Sequence, residues 1–195
     1  APSRPRIDIL LDNAGYELVA DLALTAYLLG AGIASQVVLH AKSYPVFVSD
    51  ALTGDIHATL DWLCFSASPA ARSLGISLRQ HLVSGGLRLS HHPFWTSPLP
   101  AWEMPFDLAA DIAGSSLFIS KGDANYRRLL GDRHWPFSTP FAAVVDYFEP
   151  AVMALRTCKS EIAAGIPAEK IPTGDETWIH NGRWGLIQFA PDRNP

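Results

Sequence analysis

The sequence predicts an α/β fold: a mostly parallel central sheet with helices on both faces. Two observations predict it. Short aliphatic runs alternate with stretches of helical pattern along the chain, as expected for strands joined by helical crossovers. Most of these runs also end directly in polar or charged residues. The carboxyl ends of strands are where open α/β sheets bind ligands.

The first strand, residues 7–11, is Ile7-Asp8-Ile9-Leu10-Leu11. Asp12-Asn13-Ala14-Gly15-Tyr16-Glu17 then turns into a helix over about 15–29, ended by Gly30 and Gly32 in the way glycine ends many helices. The second strand is Gln36–Ala41, followed by Lys42-Ser43-Tyr44-Pro45 and Val46-Phe47-Val48-Ser49-Asp50. Thr53 is placed to cap a helix reaching Cys64. A further helix covers about 69–83 and stops at Ser84-Gly85-Gly86. The third strand, 87–90, runs into His91-His92-Pro93-Phe94-Trp95. Pro98, Pro100 and Pro105 mark an irregular loop, and a short helix covers about 106–113. The fourth strand, 116–120, meets Lys121-Gly122-Asp123 and a helix over about 125–130. The fifth, 152–156, ends in Thr157-Cys158-Lys159, and the last strand is 186–189.

At 195 residues and 48% hydrophobic content, the chain is expected to form a single α/β domain, 1–195, with a sizeable core. Charged residues make up 17%, with a formal net charge of −4, so nucleic acid is not an expected partner. No apolar run approaches the roughly 20 residues that span a bilayer, and no membrane partner is expected. Ala1-Pro2-Ser3-Arg4-Pro5-Arg6 leads into a short strand rather than the apolar core of a leader. Cys64 and Cys158 form no metal-type pair, which points to a reducing, cytoplasmic setting. Phe94, Trp95, Trp135 and Phe137 are expected in packing rather than as stacking platforms.

The strand ends collect Asp12, Asn13, Asp50, His91, His92, Lys121, Asp123 and Lys159. Asp12, Asn13 and Asp50 offer three hard oxygen donors for Mg²⁺, Mn²⁺ or a similar ion. Lys121, Arg127 and Lys159 offer cations for phosphate oxygens, and Gly122 permits close backbone approach. This is a toolkit for phosphoryl transfer. Two nucleophiles are open to it, a water on the metal or one of the carboxylates. Each residue also has a plainer use: Asp and Asn are the best helix caps, Asp50 suits a turn, and Lys121 and Arg127 suit a solvated surface. Adjacent histidines on an extended segment point apart, so His91 and His92 are not expected to share a metal. P-loop, dinucleotide and nucleophile-elbow motifs are absent.

Three segments resemble one family. Asp12-Asn13-Ala14-Gly15-Tyr16-Glu17-Leu18 with Asp21, and Pro45-Val46-Phe47-Val48-Ser49-Asp50, form the first match. Lys121-Gly122-Asp123-Ala124-Asn125-Tyr126-Arg127-Arg128-Leu129 with Gly131-Asp132-Arg133 and Trp135 is the second. Leu155-Arg156-Thr157-Cys158-Lys159-Ser160-Glu161 is the third. Together they resemble the DUF89 damage-control phosphatases, in the branch of the acidic residue methyltransferase 1-like proteins. The resemblance implies a three-layer α/β/α sandwich with an added helical N-terminal region. It implies a metal (manganese, cobalt or nickel) on the catalytic positions Asp12, Asn13 and Asp50. Substrate contacts would fall on Glu17, Asp123, Asn125, Arg127 and Lys159, with Tyr126 in the same motif and Lys121 beside it. The implied activity is hydrolysis of small phosphate esters such as fructose 1-phosphate. Carboxyl methylation of protein glutamate by S-adenosylmethionine is the alternative attributed to this branch, and a non-catalytic truncated domain is a third reading. Family proteins are about twice as long, so the helical region that would precede Ile7 is expected to be missing. Cys158 stands where the branch more often has Leu, which reads as a packing change.

Overall fold

The computed structural model describes residues 5–193; Ala1 to Arg4 of the N-terminal segment considered above lie outside them. The architecture is an α/β sandwich with six strands in a mostly parallel sheet. The chain divides into two compact units, Ala1–Ser97 and Pro98–Pro195.

In the first unit, β1 (Arg6–Leu10), β2 (Gln36–Ala41) and β3 (Leu87–His91) lie in the order β3-β2-β1, all parallel. Helix α1 (Tyr16–Gly30) joins β1 to β2, while α2 (Thr53–Cys64) and α3 (Pro69–Ser84) join β2 to β3. Ile7, Ile9, Leu10, Val37, Val38 and Leu39 are buried. Both faces of these strands are covered, which is why they read as apolar runs rather than alternating ones. Asp8 interrupts the first run and is fully buried. Arg6 Nε and Nη2 donate to its two oxygens at 2.7 and 2.6 Å, and His40 Nε2 lies 2.8 Å from Oδ2. A buried carboxylate requires partners of this kind.

Helix α1 buries Leu18, Leu22, Thr25 and Leu29 on one stripe. Thr53 is the first residue of α2 rather than its cap. The Asp55 carboxylate instead accepts from the Leu52 N–H at 2.9 Å, so a side chain inside the first turn supplies the cap. Ser68 caps α3. Gly75 marks close contact of α2 with α3: a Cβ there would lie 2.7 Å from the Cys64 nitrogen and 2.8 Å from Leu63 Cβ. Phe94 and Trp95 are buried, as expected.

In the second unit, β4 (Leu117–Lys121) and β5 (Ala151–Thr157) are parallel, and β6 (Gly185–Ala190) runs antiparallel to β5. Helices α4 (Phe106–Ala113), α5 (Asp123–Leu129) and α6 (Phe141–Val144) complete it. Cys158 is fully buried with Ala163, Ile166, Trp178 and Ile179, and Phe137 packs against this group. The Phe137 and Trp178 rings meet edge-on at 5.7 Å, so Phe137 and Cys158 both act in packing. Both cysteines are free, and burial pushes the Cys158 thiol above its ordinary value. Helix α6 and the 3-10 turns Pro93–Thr96, Ala101–Glu103 and Ala168–Lys170 are too short to show a periodicity. No helix among the described residues is long and apolar enough to cross a membrane.

Gly75→Ala is expected to lower unfolding free energy in urea by about 1–3 kcal/mol, although alanine is the better helix former. A stabilised variant would contradict the close helix contact. With a thiol reagent at mildly alkaline pH, the native chain should titrate at Cys64 alone. Cys158 should react only after unfolding, because a buried, protonated thiol is inert.

Candidate active site

The parallel β1–β2 pair ends with Leu10 opposite His40. Beyond it the chain continues pairing outside regular structure. The Leu11 N–H donates to the His40 carbonyl at 3.0 Å and the Ala51 N–H to the Asp12 carbonyl at 2.9 Å. Asn13 and Asp50 form an isolated antiparallel bridge, and the Ala14 N–H donates to the Ser49 carbonyl at 2.8 Å. Two residues far apart in sequence are thereby held backbone to backbone.

Their side chains are equally fixed. Asn13 Nδ2 donates to Asp12 Oδ2 and to Glu17 Oε2, both at 2.8 Å. The Ser49 hydroxyl donates to Asn13 Oδ1 at 2.6 Å. Asp50 is buried, and its Oδ2 accepts from the Val46 and Phe47 N–H groups at 2.9 and 3.0 Å. These two bonds curl 46–49 into a turn, so the aliphatic stretch is a loop with Val46, Phe47 and Val48 exposed. Among the described residues no hydrogen bond reaches Asp50 Oδ1.

The cap reading of Asp12-Asn13 is overturned. Gly15 is the N-cap of α1, at φ 73°, and no side chain caps that helix. A left-handed φ favours glycine, so the turn is made by Gly15. Asp12, Asn13 and Glu17 bond to one another instead. No group of three or more His, Cys, Asp or Glu side chains among the described residues is placed to hold a metal. The expected set is of another kind, pairing two carboxylates with an amide.

In the second unit, Gly122 caps α5 and Asp123 opens it. Asp123 Oδ1 accepts from Arg156 Nε at 2.8 Å, the Ser160 hydroxyl at 3.2 Å and the Lys159 backbone N–H at 3.3 Å. Among the described residues no hydrogen bond reaches Asp123 Oδ2. The Arg156 side chain is 0% exposed. It also donates to the carbonyls of Ile162 and Ser160 and to the Ser160 hydroxyl, and its guanidinium lies 4.4 Å from the centre of the Tyr126 ring. Tyr126 is buried, with its hydroxyl donating to Gln188 Oε1 at 2.7 Å. Burial pushes that hydroxyl above its ordinary pKa.

Asn125 is buried and Nδ2 donates to the Lys121 carbonyl at 2.7 Å, fixing the turn that carries Lys121. Arg127 is half-exposed and forms a bidentate pair with Asp132 at 2.7 and 2.9 Å. The Arg127 guanidinium holds the Asp132 carboxyl below its ordinary value. Lys159 is exposed. The structure thus joins the side chains of Asp12, Asn13 and Glu17 in the first unit, with Asp50 meeting Asn13 through the backbone, and joins Asp123 to Arg156 and to the Lys159 backbone in the second. His91 is exposed, and His92 Nδ1 accepts from the Phe94 N–H at 3.0 Å to cap the turn there. Ser49, Arg156 and Ser160 were not among the expected site residues. An arginine in the apolar strand Ala-Val-Met-Ala-Leu-Arg-Thr was the available signal, because arginine is rarely fully buried unless paired.

A model of the damage-control phosphatase ARMT1-like domain matches residues 1–173. The chain is 37% identical over 192 residues to a protein named damage-control phosphatase ARMT1 from Danio rerio, covering 95% of this chain and 43% of that protein. The namesakes from Mus musculus and Homo sapiens are 36% and 34% identical, over 94% and 96% of this chain and 44% of each relative. The chain therefore spans less than half the length of the relatives it matches.

Arg156→Met strands the Asp123 carboxylate and two carbonyls, and is expected to cost about 3–5 kcal/mol. Arg127→Ala breaks a pair whose side chains are 40% and 57% exposed, and should cost under about 1 kcal/mol. Denaturant melts of the two variants test this; equal losses would contradict the assigned burial.

Proposed function

The chain belongs to the damage-control phosphatase ARMT1-like domain family, and we propose that it is a metal-dependent phosphatase of small phosphate esters. Its proposed substrates are sugar phosphates of the fructose 1-phosphate type, in metabolite damage control in the cytoplasm. The observation that carries the reading is the convergence of Asp12 and Glu17 on one point, the Asn13 amide, with Asp50 bonded to the same backbone bridge. The relatives carry phosphatase names, which favours this reading over methyl transfer.

The donor set fits a divalent cation. Two carboxylates already accept a partially positive N–H₂ group between them, and Asp50 Oδ1 is uncommitted among the described residues. Turning the Asn13 amide over would present Oδ1 at that point. The Ser49 hydroxyl could then accept where it now donates. Oxygen donors of this kind suit Mn²⁺, Mg²⁺, Co²⁺ or Ni²⁺, held by Asp12, Asn13 and Asp50. A divalent ion there supplies neutralisation of phosphoryl oxygens and activation of water.

The second unit, taken by itself, carries groups suited to a sugar phosphate. Asp123 Oδ1 is saturated by three donors, so Oδ2 is left to accept from a sugar hydroxyl. Arg156 keeps that carboxylate fixed, and Tyr126 serves by covering the Arg156 guanidinium with its ring. Lys121 and Lys159 would donate to phosphate oxygens. Arg127 would exchange its bidentate Asp132 for phosphate, a matching geometry. Asn125 holds the turn of Lys121, and Glu17, released from the Asn13 amide when it turns over, would contact substrate.

Phosphate release from a sugar phosphate should require added Mn²⁺ or a similar ion and stop with chelator. Asp12→Ala and Asp50→Ala should each lower kcat/KM by on the order of 10²-fold or more. Asp123→Ala should raise KM for the sugar phosphate more than for an aryl phosphate, which has no hydroxyls to bind. Release that survives both chelator and the two metal-site variants would overturn the reading. Metal binding without turnover on any ester would leave a non-catalytic domain.

A further inference from the structure

The Asn13 amide meets three side chains. Its Nδ2 donates to Asp12 Oδ2 and Glu17 Oε2, and its Oδ1 accepts from the Ser49 hydroxyl at 2.6 Å. The three partners are not alike. Ionised carboxylates only accept, whereas a hydroxyl has one proton to give and two lone pairs to receive with. Asp12 and Glu17 therefore bond to the amide nitrogen alone. Ser49 can bond to whichever end of the amide faces it.

The backbone holds Ser49 in place. Its carbonyl accepts the Ala14 N–H at 2.8 Å, and it adjoins the bridge between Asn13 and Asp50. The Asp50 carboxylate closes the turn that leads to it by accepting the Val46 and Phe47 N–H groups. Ser49 is exposed, so it packs no core. Among the described residues its hydroxyl bonds to Asn13 alone.

We infer, on the metal-dependent reading above, that Ser49 is the positioning residue that lets Asn13 act as a metal ligand, by bonding to the amide in both of its orientations. Without metal, the hydroxyl adds one bond to the two that the carboxylates accept. Bonds to an ionised partner are the stronger kind, so the amide keeps this orientation even without Ser49. With the amide turned over, Oδ1 faces the metal and the carboxylates no longer accept from Nδ2. The Ser49 oxygen is then the side-chain acceptor left to the amide nitrogen. A donor without an acceptor is costly. Removing the hydroxyl therefore penalises the metal-binding orientation more than the other, and metal affinity falls. Water reaches the exposed Ser49 and offsets part of the loss. The effect thus lies at the low end of the roughly 10–100-fold typical of groups that orient a metal ligand.

Threonine and valine have closely similar shapes, and only threonine carries the hydroxyl. In calorimetry with Mn²⁺ and no substrate, Ser49→Thr should bind as the native chain does, and Ser49→Val about tenfold more weakly. A merely structural role for this position would make the two variants alike, since both side chains are β-branched. Mg²⁺ is diamagnetic and gives a second readout by nuclear magnetic resonance. The Asn13 side-chain N–H₂ signals, assigned by their loss in Asn13→Asp, should shift as Mg²⁺ saturates the native chain. Equal affinities of the Thr and Val variants, or Asn13 signals unmoved by saturating Mg²⁺, would overturn the role of Ser49 and leave the metal site standing. A native chain that binds no Mn²⁺, or an Asp12→Ala variant that binds it as tightly, would overturn the metal reading and the role of Ser49 with it.

Discussion

The bridge between Asn13 and Asp50 is the contact on which the arrangement of polar side chains in the first unit depends. Parallel strands put their carboxyl ends side by side, but a strand end alone leaves the following side chains in loose turns. Here the pairing persists past the sheet and reverses sense. The Asp12 carbonyl takes the Ala51 N–H, and the Ser49 carbonyl takes the Ala14 N–H. Four polar side chains then have fixed backbones beneath them. Asp50 spends Oδ2 on shaping its own loop, and Asn13 serves as the hub for Asp12, Glu17 and Ser49. Preorganisation of this kind is what metal and phosphate chemistry needs, because a loose ligand set costs affinity.

The second unit solves the same problem with a buried charge. Removing a guanidinium from water is costly unless it is paired and hydrogen-bonded. Arg156 meets the condition with a carboxylate, two carbonyls, a hydroxyl and an aromatic face. The result is a rigid connection between the end of β5, the start of α5 and the loop through Ser160 and Ile162. Arg127 makes a chemically similar pair with Asp132 in solvent, where water screens it and ionic exchange is easy. One arginine is therefore suited to hold a framework and the other to release its partner.

Most elements were legible because their burial is regular. Strand β2 lies where its aliphatic run places it, and α4 spans the predicted 106–113. The others shift by a residue or two, as at β4, which begins at Leu117 and ends at Lys121. The errors have a common cause. Thr53 is expected as a cap from its residue type, and the same residue-type argument supplies the plainer cap reading of Asp12-Asn13. The competing bonds that actually engage the ends of α1 and α2 come from the Gly15 backbone and from Asp55, and residue type does not reveal them. Val46-Phe47-Val48 has the composition of a strand, yet Asp50 draws its N–H groups into a turn. The role of Arg156 was hidden for the opposite reason, since its partners Asp123, Ser160 and Ile162 lie in three different segments.

The sequence by itself determined the alternation of strands and helices, the strand ends rich in hard oxygen donors and cations, and the motifs that place the chain in its family. These are local properties, set by periodicity and by short runs of residues. The tertiary structure alone decided that Asn13 meets Asp50, that Glu17 shares the Asn13 amide with Asp12, that Tyr126 is a buried platform rather than an exposed contact, and that β6 runs antiparallel to β5. Each of these depends on which groups of the folded chain find one another. Backbone hydrogen-bond donors and acceptors are the same on every residue except proline, so the sequence names the partners available, and only the fold selects among them.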